Sequence, residues 1–319
     1  MLSVDISKAF DRLPHATVLE CVETYDFHPT ITRWIISFLS SRRQRVRIWS
    51  NESSWMQIPS GVPQGSVVGP VLFSMAMDSL KPVSENSQMI KYADDVSLLH
   101  FVRKVGDDDL QCEWNNITDW ANAVGLSLNL SKSCVMDFVT KRDLCLQPIS
   151  DSAGNIVPNK DEINLLGISF SSDMRWNTHV DKVVRKSSKR LYIIRNLRRS
   201  SYPPHIIFKV YVAFVRSVLL HGFPVFCNAP NYLKNRLSSV ENRALKIIGN
   251  GYQPSLMTKS NEICFRLLSK VSSNSDHPLR ILFEERIPTR RNPSSLRAPL
   301  ARTKRYQSSF VIYCDRSKF

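Results

Sequence analysis

The chain has 319 residues, 43% of them apolar, 22% charged and only 10 glycine, which allows a sizeable core and excludes a disordered or collagen-like chain. That length has room for two domains, or for one large domain with an appendage. The net charge of +15 is uneven: residues 1–181 hold 16 Lys/Arg against 22 Asp/Glu, whereas residues 182–319 hold 27 against 6. One basic run is usually a solvated surface, but a whole half-chain biased this way points to a polyanionic partner, and the mildly acidic first half suits a site built of carboxylates.

In chain order, Leu2-Ser3-Val4-Asp5-Ile6 alternates as a short strand ending near Asp5. Residues 14–25 read as a helix, with Pro14 in its first turn and Val18, Cys21 and Val22 on one face. A second helix over 30–39 carries Ile31, Trp34, Ile35 and Phe38. Residues 44–49 alternate as a half-buried strand, and 51–54 turn it back into a partner over 55–58. A Gly/Pro-punctuated loop, 59–70, opens a helix over 71–80. Residues 89–93 and 96–99 are two strands, with Asp94-Asp95 in the two-residue gap of a tight hairpin. Residues 109–123 form a helix with Leu110, Trp114, Ile117, Trp120 and Ala121 on one face, stopped by Gly125. Segments 126–130 and 133–138 read as strands either side of Lys132, and 163–170 as a strand pair about Gly167.

The character then changes. Thr178 is a candidate N-cap with Asp181 three residues on. Val180, Val183, Val184, Leu191, Ile194 and Leu197 make an apolar stripe, and Arg185, Lys186, Lys189, Arg190 and Arg195 cover the rest of that helix. Pro203-Pro204 opens a helix over 205–221, apolar nearly all round and ended by Gly222. Asn231 opens a third, stopped by Gly249. After Gly251 the periodicity weakens, and 288–305, rich in Pro, Ser and Arg, read as a loosely packed tail. The longest apolar stretch, 206–227, is broken by Lys209 and Arg216 and makes a poor membrane span. Asp5, Lys8 and Asp11 fall where a secretory signal needs its apolar segment. Seven scattered cysteines without a C-x-x-C pair argue against a disulfide scaffold or a clustered zinc site. They fit a reducing, intracellular setting, without distinguishing nucleus from cytoplasm.

Taken singly, an Asp at a strand end or in a turn is ordinary. Two strand-borne carboxylate sites converging on one sheet edge, however, can hold two Mg²⁺ ions, because hard cations take carboxylate oxygens and keep positions open for phosphate. Such a pair activates a 3′-hydroxyl and stabilises a leaving pyrophosphate. The surrounding segments decide the matter. They are Val4-Asp5-Ile6-Ser7-Lys8-Ala9-Phe10-Asp11-Arg12, Ser60-Gly61-Val62-Pro63-Gln64-Gly65-Ser66-Val67-Val68-Gly69-Pro70 and Tyr92-Ala93-Asp94-Asp95, followed by Leu126-Ser127-Leu128-Asn129-Leu130-Ser131-Lys132-Ser133 and Leu165-Leu166-Gly167-Ile168. In this order and spacing they strongly resemble the reverse transcriptases of non-LTR retrotransposons. Arg42-Arg43-Gln44-Arg45-Val46 and Gly69-Pro70-Val71-Leu72-Phe73 resemble LINE-type elements rather than retroviral enzymes. Intron maturases and telomerase share the chemistry, but the Gly61–Ser66 loop followed by Gly69–Phe73 favours the LINE type.

The resemblance implies an α+β fold: a right-hand polymerase palm over 1–172, its antiparallel sheet backed by helices, then an all-helical thumb over 173–250 and a basic C-terminal extension over 251–319. It implies that Asp5 and Asp94 are ligands of two Mg²⁺ ions, or Mn²⁺, with Asp95 a second acidic neighbour and the Ile6 carbonyl completing a shell. Phe10 would lie under the incoming sugar and reject a 2′-hydroxyl. Gln64 and Gly65 would sit beside nucleotide and template, Lys132 would protonate the departing pyrophosphate, and Leu166-Gly167 would form the primer grip. Arg185, Lys186, Lys189, Arg190 and Arg195 would meet the phosphates of the template–primer duplex. The implied partners are an RNA template, a DNA primer and deoxynucleoside triphosphates, with no membrane and no obligate protein partner. The family carries a fingers region before the first Asp motif, whereas four residues precede Asp5 here. The expectation is therefore a palm-plus-thumb fragment with the fingers missing and its carboxylates intact. Its open alternatives are a template-directed polymerase, an inactive nucleic-acid-binding remnant, and a relic without function.

Overall fold

The alternation at the start of the chain is realised directly. In the computed structural model, β1 (Leu2–Asp5) buries Leu2 and Val4 and turns Ser3 and Asp5 to the other face. The structure describes residues 1–102, 109–138, 147–249, 254–285, 296–299, 309–311 and 313. They divide into two units, Met1–Ile163 and Asn164–Phe319.

In the first unit, Lys8 takes a left-handed conformation (φ 49°) and opens the short α1 (Ala9–Arg12). Pro14 precedes α2 (His15–Glu23), which buries Val18 and Val22. In α3 (Pro29–Leu39), Ile35 and Leu39 are buried, while Ile31 and Trp34 face outward. Next come four two-residue strands, β2 (Arg43–Gln44), β3 (Arg47–Ile48), β4 (Asn51–Glu52) and β5 (Met56–Gln57), pairing β2 with β5 and β3 with β4. The expected half-buried strand is not found: residues 43–57 are all exposed, because the ribbon lies on no core, and the chain reverses at Trp49-Ser50. Then α4 (Val68–Asp78) buries Leu72, Phe73, Ala76 and Met77.

The hairpin of β6 (Ser87–Tyr92) and β7 (Asp95–His100) turns at Ala93-Asp94, one residue earlier than expected. Ala93 adopts φ 52°, and Asp95 is already in the ladder opposite Tyr92. The next helix, α5 (Leu110–Ala123), presents the anticipated face of Leu110, Trp114, Ile117 and Ala121, and Gly125 (φ 75°) closes it. The two strands expected around Lys132 shrink to β8 (Cys134–Val135) and a single bridge from Leu128 to Ile6. The cause is a turn in which the backbone N–H groups of Lys132 and Ser133 both donate to the Asn129 carbonyl. The sheet runs β6-β7-β1-β8, antiparallel throughout, and shares one core with α2 to α5.

Two polar groups, one half-buried and one fully buried, pin helices in this unit. The Lys91 ammonium on β6 donates to the carbonyls of Met77 (2.6 Å) and Leu80 (2.9 Å) at the end of α4, where burial pushes its pKa down. The fully buried Glu113 accepts the backbone N–H groups of Val83 and Ser84. Lys91→Met leaves the two carbonyls without that donor and is expected to cost about 1–3 kcal/mol, read from the urea midpoint of unfolding.

A hairpin of β9 (Glu162–Leu165) and β10 (Ile168–Ser171) turns at Leu166-Gly167. It is followed by α6 (Asn177–Arg199), which buries the predicted stripe of Val180, Val183, Leu191 and Ile194. Trp176 is its N-cap and Thr178 lies inside the first turn, so the expected cap fails; Asp181 instead pairs with Arg236. The helix expected over 205–221 is interrupted: α7 (Pro204–Tyr211) runs into a π turn, Val212–Arg216, before α8 (Ser217–Leu220). The short α9 (Phe223–Phe226) leads to α10 (Asn231–Ile248), which matches its prediction. An unanticipated helix, α11 (Leu256–Ser273), follows where the periodicity had weakened. Its Leu256 and Cys264 join Tyr211, Phe223, Phe226, Leu237 and Val240 in the second core. The expected loose tail over 288–305 lies largely outside the described residues. Among those described, no helix is long and apolar enough to cross a membrane.

Candidate active site

The antiparallel register of β1 and β7 sets Asp5 opposite Asp95, and the turn before β7 carries Asp94. Asp5 and Asp94 line one cleft of about 390 Å³, together with Ile6, Ser7, Lys8, Arg12, Asn129 and Lys132. Asp5 is held through its backbone: its N–H donates to Ser133 Oγ (3.1 Å) and its carbonyl accepts from Asn129 N–H (2.8 Å). The same turn carries Lys132, whose ammonium lies 3.7 Å from the Asp5 carboxylate. One short turn therefore fixes the end of β1 and brings an ammonium group beside it. The Asp95 carboxyl is pushed above its usual range, first by burial and then by the charges of Asp94 and Asp5. Negative charge is thus concentrated where the two strands meet.

The donor set suits a hard cation. Mg²⁺ is bound through one or two carboxylates and completes its octahedron with water and substrate phosphate. The carboxylates of Asp5 and Asp94, in a cleft also lined by Ile6, fit that partial shell. Among the described residues no three His, Cys, Asp or Glu side chains gather as a closed metal cage.

Three predicted residues do not line the cleft. The half-buried Phe10 stacks on Phe73, with ring centroids 4.4 Å apart. Gln64 is exposed and donates its amide to Asp11 Oδ1 (2.8 Å). Gly65 is exposed beside it. Their loop is fastened by Val62 N–H to the Phe10 carbonyl (2.8 Å) and by Gly61 N–H to the Leu13 carbonyl (2.7 Å). Gly61 is required there: it holds φ 88°, and a Cβ would sit 2.8 Å from the Asp11 carbonyl oxygen.

Residues 1–170, which contain all five motifs, match the reverse transcriptase (RNA-dependent DNA polymerase) family. The chain belongs to the reverse transcriptase family. It is 26% identical over 259 residues to the probable RNA-directed DNA polymerase from transposon BS of Drosophila melanogaster, covering 77% of this chain and 28% of that one. Against the RNA-directed DNA polymerase from mobile element jockey of the same species, identity is 24% over 258 residues, with the same coverage. These matches bear out the expected kinship with non-LTR elements. The chain spans less than a third of the length of these relatives. Among solved structures, telomerase from Candida albicans gives a weak likeness, with 11% identity, a TM-score of 0.37 and coverage of 77% of this chain and 46% of that one.

In the second unit, Leu166-Gly167 form the β9–β10 turn, and the His221 ring is hydrogen-bonded to the Leu166 carbonyl (2.8 Å). Arg185, Lys186, Lys189 and Arg195 are exposed on α6, whereas Arg190 is half-buried and donates to the Phe214 carbonyl. Sequence reasoning passed over Lys8, Arg12 and Asn129 in the cleft wall. The signal was available for two of them: Lys8 and Arg12 stand four apart directly after β1, the spacing that stacks side chains on one helical face. Arg12 also donates to Ser127 Oγ (2.8 Å).

Proposed function

We propose that the chain performs the nucleotidyl-transfer step of RNA-directed DNA synthesis for a non-LTR retrotransposon, its first unit acting as palm and its second as thumb. The observation that carries this reading is that Asp5 and Asp94, from two separate family motifs, line one cleft. Two Mg²⁺ ions, or Mn²⁺, would supply the acidity that activates a primer 3′-hydroxyl and the charge that steadies the departing pyrophosphate. Asp5 and Asp94 would hold them, with the Ile6 carbonyl and Asp95 completing the negative surround. Lys132, already beside Asp5, would donate its proton to the pyrophosphate. Lys8 and Arg12 would add positive charge for the triphosphate along the same wall. Phe10, its ring braced by Phe73, would lie against the sugar, and Gln64, oriented by Asp11, would sit with Gly65 beside the base pair. The Leu166-Gly167 turn, steadied by His221, would grip the primer, and Arg185, Lys186, Lys189, Arg190 and Arg195 would meet duplex phosphates.

The test is primer extension by the purified chain on a primed RNA template with the four deoxynucleoside triphosphates. Activity is expected with Mg²⁺ and none in EDTA. Duplex affinity should fall with added salt, with a log–log slope of about −4.5 if about five α6 cations meet phosphates. Salt-dependent binding without extension under any divalent ion would favour the inactive remnant instead.

A further inference from the structure

The arm of residues 43–57 has no part in the site or in either core. All of it is exposed, including Trp49 at 91%, Met56 at 67% and Trp55 at 56%. Side chains of this size are ordinarily covered. Two ladders of two residues each provide no interior to cover them. Yet the arm's roots are fastened: Ile58 N–H donates to the Arg42 carbonyl (2.9 Å), and His15 N–H to the Pro59 carbonyl (3.1 Å). The tryptophans therefore stand on a hydrogen-bonded ribbon anchored to α2 and the end of α3.

The arm's charge identifies an occupant. Arg42, Arg43, Arg45 and Arg47 face a single acidic residue, Glu52, which is paired with Arg45 and Arg47. The Arg45 guanidinium lies 4.7 Å from the Trp55 ring centroid, and that of Arg42 lies 5.4 Å from the Phe38 ring. A surface that combines several cations with exposed indoles complements a polyanion that carries flat apolar groups. A duplex keeps its base faces stacked away, and an acidic peptide would leave the indoles without planar partners. We propose that this arm binds single-stranded nucleic acid, with bases stacking on Trp49 and Trp55 and phosphates meeting Arg42, Arg43 and Arg47. The arm runs on through Gly61 and Val62, which are bonded to the Leu13 and Phe10 carbonyls, to Gln64. On the polymerase reading above, the bound strand is unpaired template approaching the site; the binding itself does not depend on that reading.

The experiment uses the full chain in EDTA without nucleotides, so that binding is separated from chemistry. Anisotropy of fluorescein-labelled single-stranded RNA is compared with that of a blunt duplex for wild type, the Trp49→Ala/Trp55→Ala pair and the Trp49→Phe/Trp55→Phe pair. The alanine pair is expected to weaken single-strand binding roughly 30-fold and duplex binding less than about twofold, with the phenylalanine pair recovering most of the loss. Unlabelled strand should quench indole fluorescence in wild type and much less in the phenylalanine pair. Unchanged single-strand affinity in the alanine pair would overturn the proposal, as would an equal loss on duplex. So would tryptophan-dependent binding to phosphatidylserine/phosphatidylcholine vesicles, or a tryptophan-dependent dimer in sedimentation, without strand binding. Tryptophan-dependent strand binding by a chain inert in primer extension would sink the polymerase reading and leave this one standing.

Discussion

Asp94→Asn is expected to abolish primer extension while leaving duplex binding within about twofold. The substitution keeps the side chain's shape and removes its charge. Asn is at home in tight turns, so the Ala93-Asp94 turn should persist. Folding should not suffer either. Asp94 stands with Asp5 and Asp95 in a cluster in which burial first, and then the charges of Asp94 and Asp5, lift the Asp95 carboxyl, and removing one charge relieves the second part. The melting temperature should therefore hold or rise as activity disappears. On the proposed function Asp94 would hold a metal, and the expected loss follows from what such a ligand does in the reaction. Charge stabilisation by a positioned cation is worth several kcal/mol, or about 10³-fold in rate, and it goes when the cation is no longer held. Single-turnover extension across a Mg²⁺ titration measures it. Wild-type turnover in this variant would show that the cleft between β1 and the β6–β7 turn is not where the chemistry happens.

What could be read from the sequence was local. The alternation of Leu2 and Val4 with Ser3 and Asp5 sets β1 and its carboxylate by a period of two, which needs no knowledge of the partner strand. The faces of α5, α6 and α10 were legible for the same reason, since each carries enough apolar residues at helical spacing to declare one side. The misses came where distant partners decide. Arg45-Val46-Arg47-Ile48 has the alternation of a half-buried strand, but no element packs on it. The turn at Ala93-Asp94 is displaced by one residue because Asp95 pairs with both Tyr92 and Asp5, and the latter partner is remote in sequence. Helix α11 does carry Leu256, Cys264, Leu267, Leu268 and Val271 along one side at helical spacing, and the reading of a weakened periodicity after Gly251 passed over that stripe. Thr178 and Asp181 have the spacing of a capping box, but Arg236 from another helix claims the Asp181 carboxylate. In the site, the paired carboxylates announced themselves through motif order. The cationic wall of Lys8 and Arg12 was legible only as a four-residue spacing after β1; that both line the cleft with Asp5 and Asp94 is shown by the structure.

The largest effect on stability is expected at Glu241. Its carboxylate is buried with the Arg216 guanidinium, at 3% and 4% exposure. Oε1 accepts from Arg216 Nη2 (2.6 Å) and from the Tyr211 hydroxyl (2.9 Å), and Oε2 accepts from Leu256 N–H (2.6 Å). Arg216 Nη2 also donates to the Pro254 carbonyl (3.0 Å). One carboxylate thus joins α10 to the π turn and to the first residue of α11. The π turn, Val212–Arg216, ends on the Arg216 that supplies the guanidinium. Glu241→Ala strands a guanidinium, a phenol and a backbone N–H in an apolar interior, which should cost about 3–5 kcal/mol. That is a large share of the roughly 5–15 kcal/mol typical of a whole domain. Removing the partners together should cost far less. Arg216→Met with Glu241→Leu and Tyr211→Phe replaces the network by apolar groups of similar volume and leaves no buried charge unpaired. The network also sets a pH limit. Burial, the first cause, pushes the Tyr211 pKa above its ordinary 10.0. The folded state therefore favours the neutral phenol, so this contribution is complete below the ordinary value and is lost as pH rises past it. Urea unfolding followed by circular dichroism, at neutral pH and above pH 10, tests both statements. A Glu241→Ala cost below about 1 kcal/mol would mean that water reaches Arg216 once the carboxylate is gone, and that the three helical segments do not depend on this contact.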